Sequence, residues 1–289
     1  MKYVLYNPLA GKGDAKEQSA SLAERYGNDI IFKDITTVAD YADLLAPLSE
    51  QDSVVVCGGD GTLNRFINDI EGIDVKCDVL YYAAGSGNDF LRDIEADCND
   101  GPVCINKYIK DLPVAEVKGK KYRFLNNLGF GIDGYCCEVG DKQKAASAKT
   151  VNYTAIAIKG LLFHYKPTNA TVVVDGKQYN FKKVWIAPTM KGRFYGGGMM
   201  AAPAQDRLDP DGTLSVMVFG GGGRLRTLMA FPSIFKGEHV KYTKMVHIIS
   251  GKDISVTFDS PAPVQIDGET ILGVTSYHAY ACVNAEIKA

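Results

Sequence analysis

The sequence predicts an α/β chain in which an N-terminal parallel-sheet domain is followed by a mainly β, sandwich-like domain. Three observations carry that expectation. At 289 residues the chain exceeds the usual single domain. Its first third repeats one unit: a short apolar run, a turn rich in Gly, Asn or Asp, then residues at helical spacing. That is the mark of parallel strands joined by right-handed helical crossovers. From about Pro113 strands follow one another directly, interrupted by two helical stretches. The domains are placed at residues 1–111 and 112–289, with a return of the last residues to the first domain left open. No linker rich in Pro or Ser separates the halves, so they are expected to abut across a cleft that holds the active site.

The first strand, residues 3–6, leads through Asn7-Pro8-Leu9-Ala10-Gly11-Lys12-Gly13 into a helix from about Asp14, whose carboxylate suits an N-cap. A second strand over 30–35 precedes a helix over 41–48. The unbroken apolar run 53–57 is a buried parallel strand feeding Gly58-Gly59-Asp60-Gly61-Thr62. The helix expected from Thr62 sets Leu63, Phe66, Ile67 and Ile70 on one apolar face. A fourth unit is the strand 78–82, the loop Ala84-Gly85-Ser86-Gly87-Asn88-Asp89 and a helix from Phe90. In the second domain helices are expected near 144–163 and 225–235. Hairpins are expected at Asp175-Gly176, and between 246–249 and 254–258 across Ser250-Gly251-Lys252-Asp253. On the residues alone, Asp267-Gly268-Glu269 is a further hairpin turn.

Composition excludes several function classes. With 32 basic and 34 acidic residues there is no electrostatic footprint for nucleic acid. No apolar run reaches the roughly 18–20 residues that span a bilayer. The N-terminal run breaks at Asn7-Pro8, too early for a secretory signal, so a cytoplasmic protein is expected. The seven cysteines lack any C-x-x-C pair and are expected as reduced thiols. The four histidines have no zinc or triad spacing and are assigned to structure.

Three loops fall at the carboxyl ends of parallel strands, where ligands gather. In Gly58-Gly59-Asp60-Gly61-Thr62, glycines let the backbone approach an anion and the helix start offers N–H groups, so phosphate is the natural guest. Asp60 would repel phosphate unless a cation or a substrate hydroxyl intervenes. The plain alternative is a tight turn with Thr62 as N-cap. Residues 7–13 add backbone donors and a lysine, and residues 84–89 a hydroxyl and an amide; either loop alone is an ordinary capped turn.

In this order and spacing, Asn7-Pro8-x-x-Gly11, Gly58-Gly59-Asp60-Gly61-Thr62-x-Asn64 and Gly85-Ser86-Gly87-Asn88-Asp89-Phe90 resemble the diacylglycerol kinase catalytic family, which includes bacterial lipid kinases and sphingosine and ceramide kinases. The similarity continues through Phe124-Leu125-Asn126-Asn127-Leu128-Gly129-Phe130-Gly131-Ile132-Asp133, Arg193-Phe194-Tyr195-Gly196-Gly197-Gly198-Met199 with Ala202-Pro203, and Asp267-Gly268-Glu269. It covers almost the whole chain. The resemblance implies an ATP-dependent kinase that moves the γ-phosphate onto the hydroxyl of diacylglycerol or a related lipid. Mapped by motif, Asn7, Pro8, Leu9, Ala10, Gly11, Thr36, Gly58, Gly59, Asp60, Gly61, Thr62, Leu63, Asn64, Arg65, Ser86, Gly87, Asn88 and Asp89 line the ATP site. It assigns catalysis to Glu269 as proton acceptor, with Asp267 close by and Asp60 at the nucleotide. It also implies Mg²⁺ in a loop where Asp211 is the side-chain ligand and Leu208 and Thr213 give carbonyls.

A lipid substrate implies transient contact with a membrane surface, with Ile156, Leu161, Leu162, Phe163, Leu228, Phe231, Ile234 and Phe235 as candidates for an apolar entry. Apolar residues at helical spacing are more often core. A homodimer stands open. Two features depart from the family pattern: the segment around Asp40 is one residue short, which bears on Thr36, and Arg65 stands where the family carries an acidic residue. NAD kinases also share Gly-Gly-Asp-Gly-Thr and form the alternative enzyme class. A non-catalytic nucleotide or lipid sensor is the alternative of another class.

Overall fold

The computed structural model describes residues 2–8, 10, 15–27, 29–84, 87–99, 101–146, 151 and 153–282. Contacts divide the chain into two units, Met1–Lys110 and Asp111–Ala289. In the first, apolar runs become β1 (Lys2–Tyr6), β2 (Ile30–Asp34), β3 (Ser53–Gly58), β4 (Asp78–Ala83) and β5 (Val103–Cys104), in the order β2-β1-β3-β4-β5. The helices are α1 (Ala15–Tyr26), α2 (Tyr41–Leu45), α3 (Asp60–Asp69), α4 (Asp89–Asp93) and α5 (Asn106–Ile109). Every residue of β3 is buried, as its unbroken apolar run requires of a central parallel strand. Leu63, Phe66 and Ile67 of α3 are buried, and Phe66 meets the α2 ring of Tyr41 edge-on at 5.6 Å.

Three local expectations are corrected here. Strands β1 to β4 run parallel, but β5 pairs antiparallel with β4, so the sheet is mixed. A helix of five residues advances the chain only about 7 Å, against about 20 Å for a six-residue strand, so α4 alone cannot carry it back. Helix α3 starts at Asp60 rather than Thr62, with Gly59 as N-cap. Ile35 leaves the second strand for a 3-10 turn, Ile35–Thr37. The expected cap Asp14 lies outside the described residues.

The second unit contains β6 (Val114–Val117), β7 (Lys120–Arg123), β8 (Asn127–Gly131), α6 (Ile132–Ala146), α7 (Tyr153–Lys159), β9 (Thr168–Val174), β10 (Lys177–Val184), β11 (Ile186–Met190), β12 (Phe194–Tyr195), β13 (Met199–Met200), β14 (Leu214–Phe219), α8 (Arg224–Ala230), β15 (Val246–Gly251), β16 (Asp253–Ile266) and β17 (Glu269–Tyr280). The main sheet runs β15-β14-β11-β8-β16-β17-β6-β7, with β9 also on β16 and β10 on β9. The 14-residue β16 organises it: its first half pairs with β9, its second half with β8, and β17 follows its other edge. One core lies between the layers so formed, where Phe130 meets Phe258 at 4.3 Å and Tyr277 at 5.4 Å. Alternate residues of β11 and β14 serve a second core: Ala187, Val216 and Val218 face the first, whereas Ile186, Met217 and Phe219 pack with Ile132, Tyr165, Trp185 and Ile234. Those two strands are buried on both faces, which explains why they are apolar without alternation.

The helical layer begins at Ile132, twelve residues before the expected start near Lys144. Gly131, at φ 130°, allows the direct turn from strand to helix, for a Cβ there would stand 2.4 Å from the Trp185 carbonyl oxygen. Asp175-Gly176 forms the expected β9–β10 hairpin, both residues at positive φ. The expected hairpin between β15 and β16 is absent: β15 pairs with β14 and β16 with β9. The Asp175 carboxylate holds that corner by accepting from the N–H groups of Lys252 and Asp253, both at 2.9 Å. The glycine run 196–198 is a tight turn between β12 and β13, with φ of 62°, 82° and 110°.

Among the described residues no helix is long and apolar enough to cross a membrane. All seven cysteines are free thiols. Replacing Asp175 by Ala should cost about 1–2 kcal/mol in urea denaturation, because two corner N–H groups lose their acceptor. Asp175→Asn should cost less, since it keeps an amide oxygen and tolerates the left-handed φ of 48°.

Candidate active site

In the first unit the ends of β1, β3 and β4 lie side by side, and hydrogen bonds tie the residues that leave them. The Asn7 N–H donates to the Cys57 carbonyl at 3.1 Å and the Ala84 N–H to the Gly58 carbonyl at 2.9 Å. Asn7 Nδ2 donates to Thr62 Oγ1 at 2.8 Å, fastening the first loop to the first turn of α3. The Tyr81 hydroxyl, buried in the sheet, donates to the Gly58 carbonyl at 3.0 Å. Gly58 is required by this closeness, since a Cβ there would lie 2.6 Å from the Thr62 Cβ. Gly59 caps α3 without a side-chain hydrogen bond, so no protein carboxylate or hydroxyl of the cap residue covers the helix start. First-turn N–H groups have no intrahelical acceptor and carry the positive end of the helix dipole. Asn7, Gly58, Gly59, Gly61 and Thr62 surround that helix start.

Asp60 ties this loop to the next helix. Its Oδ2 accepts from the Asp89 N–H at 2.8 Å and its Oδ1 from the Phe90 N–H at 3.4 Å. The carboxylate therefore caps α4, whose own N-cap, Asn88, sits at φ 47° and offers no side-chain bond. Part of its negative charge is offset by those donors. Leu63, Asn64 and Asp89 are buried in the packing behind the loops. Arg65 projects from the exposed side of α3, and its charge acts on Asp69 one turn on and on Tyr41. Thr36 lies in the turn after β2 and donates from N and Oγ1 to Asp34 Oδ1 at 2.9 and 2.7 Å. Pro8, Ala10 and Gly87 are partly exposed at the same sheet edge. Leu9, Gly11 and Ser86 lie outside the described residues.

In the second unit the two-residue turn Asp267-Gly268 joins β16 to β17, whose first residue is Glu269, with Asp267 at φ 45° and Gly268 at φ 94°. Their environments differ sharply. Asp267 is buried, and its carboxylate accepts from three successive backbone N–H groups, those of Leu125 at 2.5 Å, Asn126 at 2.8 Å and Asn127 at 2.9 Å. Its own N–H donates to the Asn127 carbonyl at 2.9 Å. Glu269, two residues on, is exposed. Asp267 thus holds the turn and Glu269 is the group the turn presents.

Gln265 links this turn to a carboxyl that the motif reading did not single out. Its Oε1 accepts from the Gly268 N–H at 2.8 Å and its Nε2 faces Asp133 Oδ2 at 3.4 Å. Burial pushes the Asp133 carboxyl up to about 7, and its Oδ1 has no hydrogen-bond partner. Asp133 lies within the quoted motif run, but nothing in the spacing says that an acid at a helix start is sealed from water.

In the loop expected to hold Mg²⁺, two of the three named residues have protein partners. Asp211 Oδ1 is paired with Lys252 Nζ at 2.9 Å, and the Thr213 carbonyl accepts from Gln205 Nε2 at 2.7 Å. The Asp209 carboxylate accepts from the Thr213 N–H at 2.9 Å, and Leu208 is exposed. Among the described residues no cluster of three His, Cys, Asp or Glu could hold a metal, whereas the expected site draws on one carboxylate and two carbonyls. Of the apolar-entry candidates, Ile156 and Ile234 are buried core, Leu228 and Phe231 are partly buried against it, and Phe163 and Phe235 are exposed. The side chains of Leu161 and Leu162 lie outside the described residues.

Residues 2–115 match the family model described as the diacylglycerol kinase catalytic domain, and residues 126–282 match the YegS C-terminal NAD kinase beta sandwich-like domain. A protein named diacylglycerol kinase from Mycobacterium tuberculosis (strain ATCC 25618 / H37Rv) is 25% identical over 249 residues, 82% of this chain and 79% of its own length. One of the same name from Bacillus subtilis (strain 168) is 23% identical over 278 residues, 92% of this chain and 88% of its own. The crystal structure of a diacylglycerol kinase from Bacillus anthracis str. Sterne superposes with a TM-score of 0.59 at 18% identity, covering 98% of this chain and 94% of the other, a likeness of fold.

Removal of the Asp267 carboxylate in Asp267→Ala would orphan three N–H groups beside Leu125, Asn126 and Asn127. A loss of about 3 kcal/mol is expected in denaturant titration. For Asp133 the folded-state pKa of about 7 stands above the ordinary 3.8, so folding binds a proton and stability falls as pH rises between those values. Asp133→Asn should flatten that slope and raise the urea midpoint at pH 8 relative to the unsubstituted protein; equal midpoints at pH 5 and pH 8 in both would contradict it.

Proposed function

The chain belongs to the diacylglycerol kinase catalytic-domain family, and from that membership we propose that it is an ATP-dependent lipid kinase whose acceptor is the hydroxyl of diacylglycerol or a related lipid. The observation that carries the reading is the α3 start, capped by a glycine, fastened to Asn7 through Thr62 and relieved of the Asp60 charge by α4. A triphosphate is the ligand such a cradle suits. Asn7, Pro8, Leu9, Ala10, Gly11, Thr36, residues 58–65 and residues 86–89 form the proposed nucleotide site. Mg²⁺ is proposed to accompany the nucleotide, with Leu208, Asp211 and Thr213 the candidate residues for a divalent ion in the second unit.

In the proposed reaction the lipid oxygen attacks the γ-phosphorus, the bond to the bridging oxygen breaks, and ADP leaves. The hydroxyl proton passes to Glu269, which an exposed position at the head of β17 leaves accessible. Asp267 is a positioning residue, holding that turn through backbone donors. The backbone N–H groups of the α3 start would stabilise charge that builds on the transferred phosphoryl oxygens. Exposed Phe163 and Phe235 are the proposed places of contact with a membrane surface.

The description of the second half as NAD kinase beta sandwich-like favours one competitor, phosphorylation of NAD. Purified protein given labelled ATP should phosphorylate at least one member of a panel of diacylglycerol, monoacylglycerol, phosphatidylglycerol, undecaprenol and sphingoid bases. NADP formation without any labelled lipid would replace the proposal with the competitor. Glu269→Gln should lower turnover by about two to four orders of magnitude with ATP affinity little changed, and full activity in that variant would remove Glu269 as the base.

A further inference from the structure

The helical layer of the second unit presents apolar side chains to water where a solvent-facing helix carries polar ones. In α8 the Thr227 side chain is enclosed, as is Ala230 one turn on, while Leu225 and Met229 stand 70% and 67% exposed. Four residues apart, those two share one face of the helix. α8 packs against a π-helical turn, Gly160–His164, on which Phe163 is 72% exposed. The start of α8 is held to the core: Arg224 lies over the Trp185 ring at 5.6 Å, and Trp185 Nε1 donates to the Gly222 carbonyl at 3.3 Å. Packing of the inner face therefore fixes Leu225 and Met229 outward.

Charge is segregated in the same region. Of the 32 basic and 34 acidic residues, the stretches 142–174 and 212–252 hold eleven and one, the one being Glu238, which leaves 21 against 33 elsewhere. The near-balance of the whole chain thus conceals a strongly basic part, and it is the part that carries Phe163, Leu225 and Met229. Exposed Arg226 adjoins Leu225, exposed Lys159 and Lys166 flank the Phe163 turn, and exposed Lys236 follows Phe235. Apolar side chains set among cations match an anionic bilayer, which offers acyl chains to the first and phosphates to the second. A nucleic acid would meet the cations and leave Leu225 and Met229 in water. A second copy of this chain, joined by a two-fold axis, would bring the same positive face against itself.

We propose that α8 and the Phe163 turn form a docking face for an anionic lipid bilayer, with Phe163, Leu225 and Met229 entering the headgroup region and the neighbouring cations against lipid phosphates. The face deepens the lipid-kinase reading by naming the surface that brings the chain to its substrate, and rests on that reading only for its purpose. Neither three apolar side chains nor a few cations alone give more than marginal, reversible attachment, so the two act together. Attachment then follows the charge of the lipid and weakens with salt.

The test is co-sedimentation of the full chain with vesicles of phosphatidylcholine alone and of phosphatidylcholine with about 30 mol% phosphatidylglycerol, at about 0.1 M and about 0.5 M salt. The unsubstituted protein should bind the phosphatidylglycerol vesicles about tenfold or more tightly, and the higher salt should remove most of that gain. Leu225→Ser with Met229→Ser should weaken binding about tenfold. Arg226→Glu with Lys236→Glu should abolish the preference for phosphatidylglycerol. All four positions are exposed, so both double variants should melt close to the unsubstituted protein and keep its turnover of water-soluble dihexanoylglycerol. Equal binding of the unsubstituted protein to both vesicles would overturn the docking face, as would unchanged binding in both double variants. Sedimentation equilibrium without lipid tests the other occupant: a dimer that Leu225→Ser with Met229→Ser dissociates would assign the apolar face to a second copy and overturn the proposal. Absence of turnover of any lipid by the unsubstituted protein would overturn the kinase reading and leave the vesicle binding as it stands.

Discussion

The buried carboxylate of Asp267 is the interaction on which the second unit's candidate chemistry depends. Taking a carboxylate out of water is costly, and here three charge-assisted hydrogen bonds from consecutive N–H groups offset the loss. The bonds span two distant parts of the chain, the turn after β16 and the entry to β8. They fix Glu269 by geometry rather than by contact with its side chain. They also orient Asn126, whose carbonyl then receives the N–H groups of Lys191 and Gly192 and whose amide oxygen receives Arg207. One acid therefore sets both the proposed base and the two buried cations.

Asp60 does comparable work in the first unit. Both acids belong to the motifs that carry the family resemblance, and both spend their charge on backbone donors: Asp60 at the start of α4, Asp267 at the entry to β8. A carboxylate beside a phosphate site is tolerable when donors of this kind share its charge. Rigid loops follow from the same bonds, and a phosphoryl-transfer site needs positioned donors more than it needs reactive side chains. Asp133 shows the opposite case, an acid whose burial favours its neutral form because desolvation outweighs the help of the Gly134 backbone and the long contact with Gln265.

Much of the architecture was legible in apolar periodicity and turn chemistry. The parallel strands β1 to β4, the amphipathic α3 and the Asp175-Gly176 and Asp267-Gly268 turns all follow from residues within one element or one turn. Where the expectation failed, a distant partner decided. β15 and β16 are adjacent in sequence with a turn-like bridge, yet each finds a better partner elsewhere, because β16 is long enough to serve two neighbours along one edge. The early start of α6 depended on Gly131 passing close to the Trp185 backbone, and the antiparallel β5 on the brevity of α4.

Local order along the chain settles which residues are strand, helix and turn, and the order and spacing of the three glycine-rich loops settle the family. Which charges are paired, and which are buried, emerges only on folding. Asp211 was expected to meet a cation and meets Lys252; Lys191, two residues ahead of a quoted motif, is enclosed beside Arg207. The reason is physical: a hydrogen bond or a desolvation penalty belongs to a pair of groups or to an enclosure, and residues 82 or 142 positions apart leave no periodic trace of meeting.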